Sequence, residues 1–143
     1  MIAYPDTGFL VSLYGEDNHS PAATELVKSS PVLILTSLGE AEFVNALELK
    51  VFRKDWTHQE ARDVYDEFLA NQAAAAIRSV SFPLEAWARA VILSRRHGAA
   101  FGTRTLDVLH VAAALILKPD LFFTFDKRQS QLAKAEGLRV LPA

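Results

Sequence analysis

The stretch Leu121-Phe122-Phe123-Thr124-Phe125-Asp126 places an acidic residue directly after a run of mainly apolar side chains. A short apolar run of this kind is typical of a buried parallel strand. A second, shorter run, Met1 to Pro5, is followed in the same way by Asp6. Because the carboxyl ends of parallel strands face a common crevice in an open sheet, we expect these two carboxylates to converge. Converging carboxylates repel each other unless a cation lies between them.

Two further acidic residues occupy comparable positions in the chain. Glu42 lies near the start of the helix predicted after the apolar run Val32 to Thr36, and Asp107 lies in the first turn of a strongly apolar helix. Any one of the aspartates taken alone is better explained as a helix cap or as a partner of the helix dipole. The joint placement of all four acids, where a strand or loop leads into a helix, predicts a metal site.

Strands and helices alternate along the rest of the chain, which is typical of an α/β fold. Strands are predicted at 1–5, 32–36, 78–82, 121–125 and 138–141, and helices at 7–14, from Ser20, 37–54, 57–77, 83–98, 105–119 and 128–136. We therefore predict a three-layer α/β/α sandwich with a mainly parallel central sheet. The length of 143 residues suits one domain, residues 1–143.

Glu40 and Glu42 compete for one place in the site, because they lie about 200° apart around a helix axis. The sequence Ser37-Leu38-Gly39-Glu40 is typical of a capping box, which gives Glu40 a structural role. Glu42 has no such local role, so we assign Glu42 to the site.

His110 lies one helical turn after Asp107 and is a candidate general base or metal ligand. Its neighbours Leu109 and Val111 are apolar, however, and favour a hydrogen-bonded core histidine. We adopt the second interpretation, in which His110 packs and the carboxylates carry the chemistry.

Composition limits the classes of site. The absence of cysteine excludes disulfides, zinc-thiolate sites and thiol nucleophiles, so a metal must be bound by oxygen or imidazole. Carboxylate ligands favour Mg²⁺ or Mn²⁺. A net charge of −2 argues against a general polyanion binder. The basic residues Arg104, Lys127 and Arg128 nevertheless flank the acids, and we expect them to contact a phosphate backbone.

The chain contains no apolar run of the roughly 20 residues that span a bilayer, and its N-terminus lacks a signal sequence. We therefore expect a cytoplasmic protein with no membrane partner. The predicted helical hairpin from Ser37 to Ile77 is rich in apolar side chains, so we expect a protein partner on it. These side chains are Val51, Phe52, Trp56, Val64, Tyr65, Phe68 and Leu69.

Four segments together resemble the PIN domain, in particular the VapC-type toxins of toxin–antitoxin pairs. They are DTGFLVSL from Asp6, TSLGEAEFVNAL around Glu42, TRTLDVLHVAAAL around Asp107, and FFTFDKRQSQLAKAEGLRVL around Asp126. The resemblance spans nearly the whole chain. One departure is Pro5, where the family more often has an aliphatic residue, and this places only the end of the first strand's pairing in doubt.

The resemblance implies an Mg²⁺- or Mn²⁺-dependent endoribonuclease on a Rossmann-like sandwich. Such toxins are usually homodimers, and a cognate antitoxin protein holds them inactive by binding across the active-site groove. The residues implied as catalytic metal ligands are Asp6, Glu42, Asp107 and Asp126, with Thr124, Thr105 and Asn45 as polar supports.

Two alternatives stay open. The first is a non-catalytic PIN-fold module that binds RNA or a protein, for which loss of one or more acids would be typical; all four are present. The second is a phosphoacceptor domain or an aspartate-nucleophile phosphatase. That class favours paired acids or an Asp-x-Asp motif near the first strand, whereas Asp6 is followed by Thr7 and Gly8.

Overall fold

Five strands form one fully parallel sheet in the computed structural model, which describes residues 1–143. The strands are β1 (Ile2–Pro5), β2 (Val32–Thr36), β3 (Ile77–Val80), β4 (Leu121–Phe123) and β5 (Val140–Leu141). Their order across the sheet is β3-β2-β1-β4-β5. The chain therefore extends the sheet from β1 in one direction through β2 and in the other through β4, and the carboxyl ends of β1 and β4 are neighbours.

Seven helices connect and flank these strands. They are α1 (Thr7–Tyr14), α2 (Ser20–Val27), α3 (Ser37–Phe52), α4 (His58–Ala73), α5 (Glu85–Phe101), α6 (Thr105–Leu117) and α7 (Lys127–Ala135). No helix is both long and apolar enough to cross a membrane.

Two apolar cores lie on opposite faces of the sheet. Successive side chains of a strand point to opposite faces, so Phe122 belongs to the core formed with α5, α6 and α7, whereas Phe123 belongs to the core formed with α1, α3 and α4. On β1, Tyr4 and Ala3 divide in the same way. This arrangement confirms the predicted α/β/α sandwich, with a sheet that is parallel throughout.

The cap of α3 differs from the predicted capping box. Thr36, the last residue of β2, is the N-cap, and its hydroxyl accepts a hydrogen bond from the Gly39 backbone N–H at 3.0 Å. The Ser37 hydroxyl instead accepts from the Phe82 backbone N–H at 3.0 Å. The predicted N-cap, Ser37, is thus wrong by one residue, and Glu40 makes no capping hydrogen bond. The extended backbone that a cap needs is already supplied by the end of the strand.

Other predicted boundaries also shift. Gly98 does not end α5; the helix continues to Phe101, and Gly102 closes it in the left-handed conformation, with φ of 62°. Ile77 is the first residue of β3 rather than the end of α4, because it pairs with Leu33 of β2. In contrast, the start of α2 at Ser20 agrees with the prediction, and His19 is the N-cap. Similarly, α4 begins within one residue of its predicted start, with Thr57 as the N-cap that accepts from the Glu60 N–H.

The α3–α4 hairpin does not present the apolar surface that we expected. Phe68 is fully buried, and most of the other apolar side chains of the hairpin pack against the same core. Phe52, Leu69 and Leu49 are the exceptions, being 82%, 40% and 36% exposed. Most of the hairpin's apolar surface thus covers one face of the sheet, and the partner contact expected on the hairpin stays a prediction.

A different apolar surface, which we name the α5 stripe, lies on the side of α5 that faces away from the core. Its members are spaced three or four residues apart, so they share one face of the helix. They are Leu84, Trp87, Val91 and, at the margin, Ile92, all exposed. The opposite side of the helix, with Ala86, Ala90 and Leu93, is buried.

Candidate active site

Asp6 lies at the junction between β1 and α1 and is held by three hydrogen bonds. Its backbone N–H donates to the Phe123 carbonyl at 2.9 Å, which continues the ladder between β1 and β4. Its Oδ1 accepts from the Phe9 N–H at 2.7 Å, so Asp6 is also the N-cap of α1. Its Oδ2 accepts from the Thr124 hydroxyl at 2.5 Å. The carboxylate is therefore fixed in one orientation. Only 6% of the residue is exposed.

Burial raises the pKa of the Asp6 carboxyl to about 6. The hydrogen bonds from Thr124 and Phe9 oppose this rise because they stabilise the charged form, whereas the nearby Asp107 charge adds to it. A nearby cation stabilises the charged form of a carboxylate that is buried and close to another acid.

Asp126 follows β4 and is the N-cap of α7. Its Oδ1 accepts from the Gln129 N–H at 2.8 Å, and its own N–H donates to the Thr124 hydroxyl oxygen at 3.0 Å. The Thr124 side chain therefore contacts both Asp6 and Asp126, and it links the acids that follow β1 and β4. Of the predicted supporting residues, Thr124 alone has this position.

Asp107 lies in the first turn of α6, beside Arg104, whose Nε is 3.6 Å from Oδ2. Burial, followed by repulsion from Asp126, raises the pKa of the Asp107 carboxyl. The buried Gln129 connects Asp107 to the other two aspartates, since its Nε2 donates to the Asp107 carbonyl at 3.2 Å and its Oε1 lies 2.8 Å from the Thr124 hydroxyl.

Glu42 projects from α3 and is held by hydrogen bonds to His110 and Thr7. Its Oε1 is hydrogen-bonded to the Nε2 of His110 and accepts from the Thr7 hydroxyl at 3.2 Å. His110 is 2% exposed, and its Nδ1 lies 2.7 Å from the Tyr4 hydroxyl. The histidine is therefore a buried, hydrogen-bonded residue, as we interpreted it. It bonds to Glu42, however, and not to Asp107 one turn before it.

One cleft of about 360 Å³ brings together Asp6, Asp107 and Asp126, with Arg104 at its margin. Glu42 does not line this cleft, although its charge contributes to the raised pKa of Asp107. Among the remaining predicted residues, Thr105 and Asn45 are exposed and make no side-chain hydrogen bond to the acids. Lys127 and Arg128 line an adjoining cleft of about 310 Å³ with Arg104, Asp107 and Asp126.

The chemistry of the donor set fits Mg²⁺ or Mn²⁺, because every acid supplies carboxylate oxygen. Asp126 Oδ2, Asp107 Oδ1 and Glu42 Oε2 make no hydrogen bonds, so each has an oxygen free to coordinate. No three acidic or imidazole side chains are grouped closely enough in this structure to hold one ion together. The acids thus converge on the cleft without forming a closed coordination shell.

Sequence reasoning missed two buried polar residues of the site: Gln129, whose backbone N–H donates to Asp126, and Tyr4, which is hydrogen-bonded to His110. Gln129 carried a local signal of its contact, because it stands three residues after Asp126, where a backbone N–H meets the side chain of an N-cap. A tyrosine inside a buried strand also signals a partner for its hydroxyl. Nothing in the sequence indicates which partner it has.

Comparisons with known proteins support the same architecture. The sequence model of the PIN domain matches residues 3–135. Among curated protein sequences, none is significantly similar to this chain.

Three solved structures share the fold at low sequence identity. VapC20 of Mycobacterium tuberculosis, described as a sarcin–ricin loop cleaving toxin, is 20% identical, covers 95% of both chains and has a TM-score of 0.69. VapBC2 of Rickettsia felis, bound to a DNA fragment from its promoter, is 15% identical over 98% of this chain and 97% of its own, with a TM-score of 0.67. A toxin–antitoxin complex from Klebsiella pneumoniae is 16% identical over 89% and 88%, with a TM-score of 0.59.

Proposed function

The chain belongs to the PIN domain family, and from this premise we propose that it is an Mg²⁺- or Mn²⁺-dependent endoribonuclease, the toxin of a toxin–antitoxin pair. The observation that carries the proposal is the convergence of Asp6, Asp107 and Asp126 on one cleft. Two of these carboxyls have pKa values raised by burial and by neighbouring acids, which is the electrostatic condition that a divalent cation relieves.

In this proposal, Asp6, Glu42, Asp107 and Asp126 hold the cation and are the catalytic acids. A bound Mg²⁺ or Mn²⁺ supplies charge stabilisation to the phosphate and lowers the pKa of a bound water. The protein's own contribution is orientation. Thr124 is hydrogen-bonded to both Asp6 and Asp126. The backbone N–H of Phe9 donates to one oxygen of Asp6, and that of Gln129 donates to one oxygen of Asp126.

The deciding experiment is cleavage of RNA by the purified protein, free of any copurified partner. Cleavage is expected with added Mg²⁺ or Mn²⁺ and is expected to stop with EDTA. Glu40→Ala is the matched control, because Glu40 shares the first turns of α3 with Glu42 but lacks contacts to the site. Undiminished cleavage in EDTA would exclude the proposed mechanism. RNA binding without cleavage under all metal conditions would favour the non-catalytic PIN-fold module.

Arg104, Lys127 and Arg128 are proposed to bind the RNA backbone next to the acids, because all three line the cleft that adjoins Asp107 and Asp126. Lys127→Ala is expected to weaken RNA binding and to reduce its salt dependence by about one unit of slope, since one phosphate contact is lost. Fluorescence anisotropy at several salt concentrations measures both quantities.

The matched control is Arg78→Ala, since Arg78 is exposed on β3 at the opposite edge of the sheet. An equal loss of affinity in both variants would show that the cleft has no special role in RNA binding.

We also propose two protein partners: a second copy of the chain and a cognate antitoxin. The α5 stripe supports the homodimer, because an exposed apolar face of this kind is typical of interaction surfaces. The antitoxin is supported by similarity to a structure that is a toxin–antitoxin complex.

Trp87→Glu is expected to convert a dimer to a monomer in light scattering, whereas Phe52→Glu on α3 should leave the mass unchanged. A dimer that persists in the Trp87 variant would exclude the α5 stripe as the interface.

A further inference from the structure

A buried chain of polar side chains leads from the core to the acidic site. The Tyr4 hydroxyl lies 2.7 Å from Nδ1 of His110, and Nε2 of His110 is bonded to Oε1 of Glu42. Tyr4 and His110 are 1% and 2% exposed, whereas 22% of the Glu42 side chain is exposed. The chain therefore begins in the interior and ends on a carboxylate that reaches the surface.

The chemistry of the three groups sets the direction of both hydrogen bonds. An ionised carboxylate only accepts, so Nε2 of His110 carries the hydrogen and donates to Glu42. In the neutral ring Nδ1 is then the acceptor, and the Tyr4 hydroxyl donates to it.

Simple core packing does not account for this chain. The other buried residues of α6 are Val108, Leu109, Val111, Ala112, Ala113 and Ala114. A tyrosine and a histidine in such surroundings cost free energy unless each polar atom is paired, so an apolar pair of similar size would fill the space more cheaply. Every buried polar side-chain atom of the protein is in fact paired. The pairing ends at the proposed metal site rather than at another element of the core.

The hydrogen bonds divide the two oxygens of Glu42 between separate roles. His110 and Thr7 both bond to Oε1, while Oε2 has no hydrogen-bond partner. Because no buried side-chain oxygen lacks a partner, Oε2 is accessible to solvent. The orientation of the carboxylate is set through one oxygen, and the other is left free.

We propose that Tyr4 and His110 are positioning residues: they hold Glu42 through Oε1 and so present Oε2 to a divalent cation. The inference rests on the proposed function in one respect, since it takes the cation as the ligand of Glu42. Tyr4 acts by holding the ring through Nδ1, and His110 acts by fixing the carboxylate. Partners of this kind orient metal ligands and strengthen metal binding.

The test is Mn²⁺ affinity measured by calorimetry without RNA. His110→Leu is expected to weaken Mn²⁺ binding about 10–100-fold, the usual effect of losing a residue that orients a ligand. His110→Gln retains an amide N–H for Oε1 and is expected to recover most of the affinity. Tyr4→Phe leaves the packing intact but removes the partner of Nδ1, and is expected to cause a smaller loss.

A double substitution separates positioning from a general structural role. In a Glu42→Gln background, His110→Leu is expected to cause no further loss of Mn²⁺ affinity, because the residue acts through Glu42. Thermal unfolding in EDTA shows whether each variant is folded. Unchanged Mn²⁺ affinity in folded His110→Leu and Tyr4→Phe, or an additive loss in the double variant, would overturn the inference while leaving the nuclease proposal intact. A parent protein that neither binds Mn²⁺ nor cuts RNA would overturn both.

Discussion

Asp6→Asn is expected to abolish RNA cleavage, with a loss of at least about 100-fold, because removing a residue that only orients a ligand already costs about 10–100-fold. The substitution removes the charge and keeps the shape. The asparagine oxygen can still accept from the Phe9 N–H, and its amide can donate to Thr124, whose hydroxyl then donates to Gln129. Loss of activity would therefore report on the carboxylate itself rather than on a damaged fold.

The measurement is the rate of single-turnover RNA cleavage at saturating Mn²⁺, with Glu40→Ala as the control that should cut like the parent. Calorimetry on the same preparations should show weakened Mn²⁺ binding in the Asp6 variant alone. If Asp6→Asn cuts RNA as fast as the parent, Asp6 is not a catalytic acid.

The metal-free protein is expected to lose stability as the pH rises from about 4 to about 7, through Asp6. Its pKa is raised from 3.8 to about 6 in the folded state. The folded state thus holds the proton more tightly than the unfolded state, so the contribution to stability is complete below pH 4 and is lost as the pH passes 6. A shift of about two units corresponds to about 3 kcal/mol of unfolding free energy. The raised pKa of Asp107 acts in the same direction.

Urea unfolding in EDTA measures this effect as the difference between the parent and Asp6→Asn at each pH. Taking the difference removes the contributions of Asp17 and Glu136, whose lowered pKa values have the opposite sign. The variant should exceed the parent in stability by about 2–3 kcal/mol at pH 7, and the gap should narrow toward pH 4. Added Mn²⁺ should stabilise the parent at pH 7 and thereby reduce the gap. A difference that does not depend on pH would show that Asp6 titrates normally in the folded protein.

The sequence alone predicted the elements whose cause is local. An apolar run followed by an aspartate identified both β1 with Asp6 and β4 with Asp126, and each aspartate is indeed the cap of the helix that follows. Apolar periodicity placed α6, and the strands alternating with helices predicted the parallel sandwich. These signals depend on neighbours within a few residues, so they can be recognised without knowledge of the rest of the chain.

Local signals failed where two elements compete for the same residues. The cap of α3 moved to Thr36 because the end of β2 already has extended backbone, and Ile77 joined β3 because a neighbouring strand pairs with it. The apolar side chains of the α3–α4 hairpin were expected to meet a partner. Most of them pack against the core while Phe52 stays exposed, because periodicity identifies an apolar face but not what covers it.

The tertiary structure decided how the four acids are related. Because β1 lies between β2 and β4, Asp6 and Asp126 are both hydrogen-bonded to Thr124, and they line one cleft with Asp107. Glu42 on α3 does not line that cleft and is hydrogen-bonded to His110. Contacts between residues more than 60 positions apart create these relations, as with His110 and Glu42. The sequence by itself thus determined which residue types lie at the carboxyl edge of the sheet. Strand order and packing determined which of them meet, since they depend on burial across the whole chain.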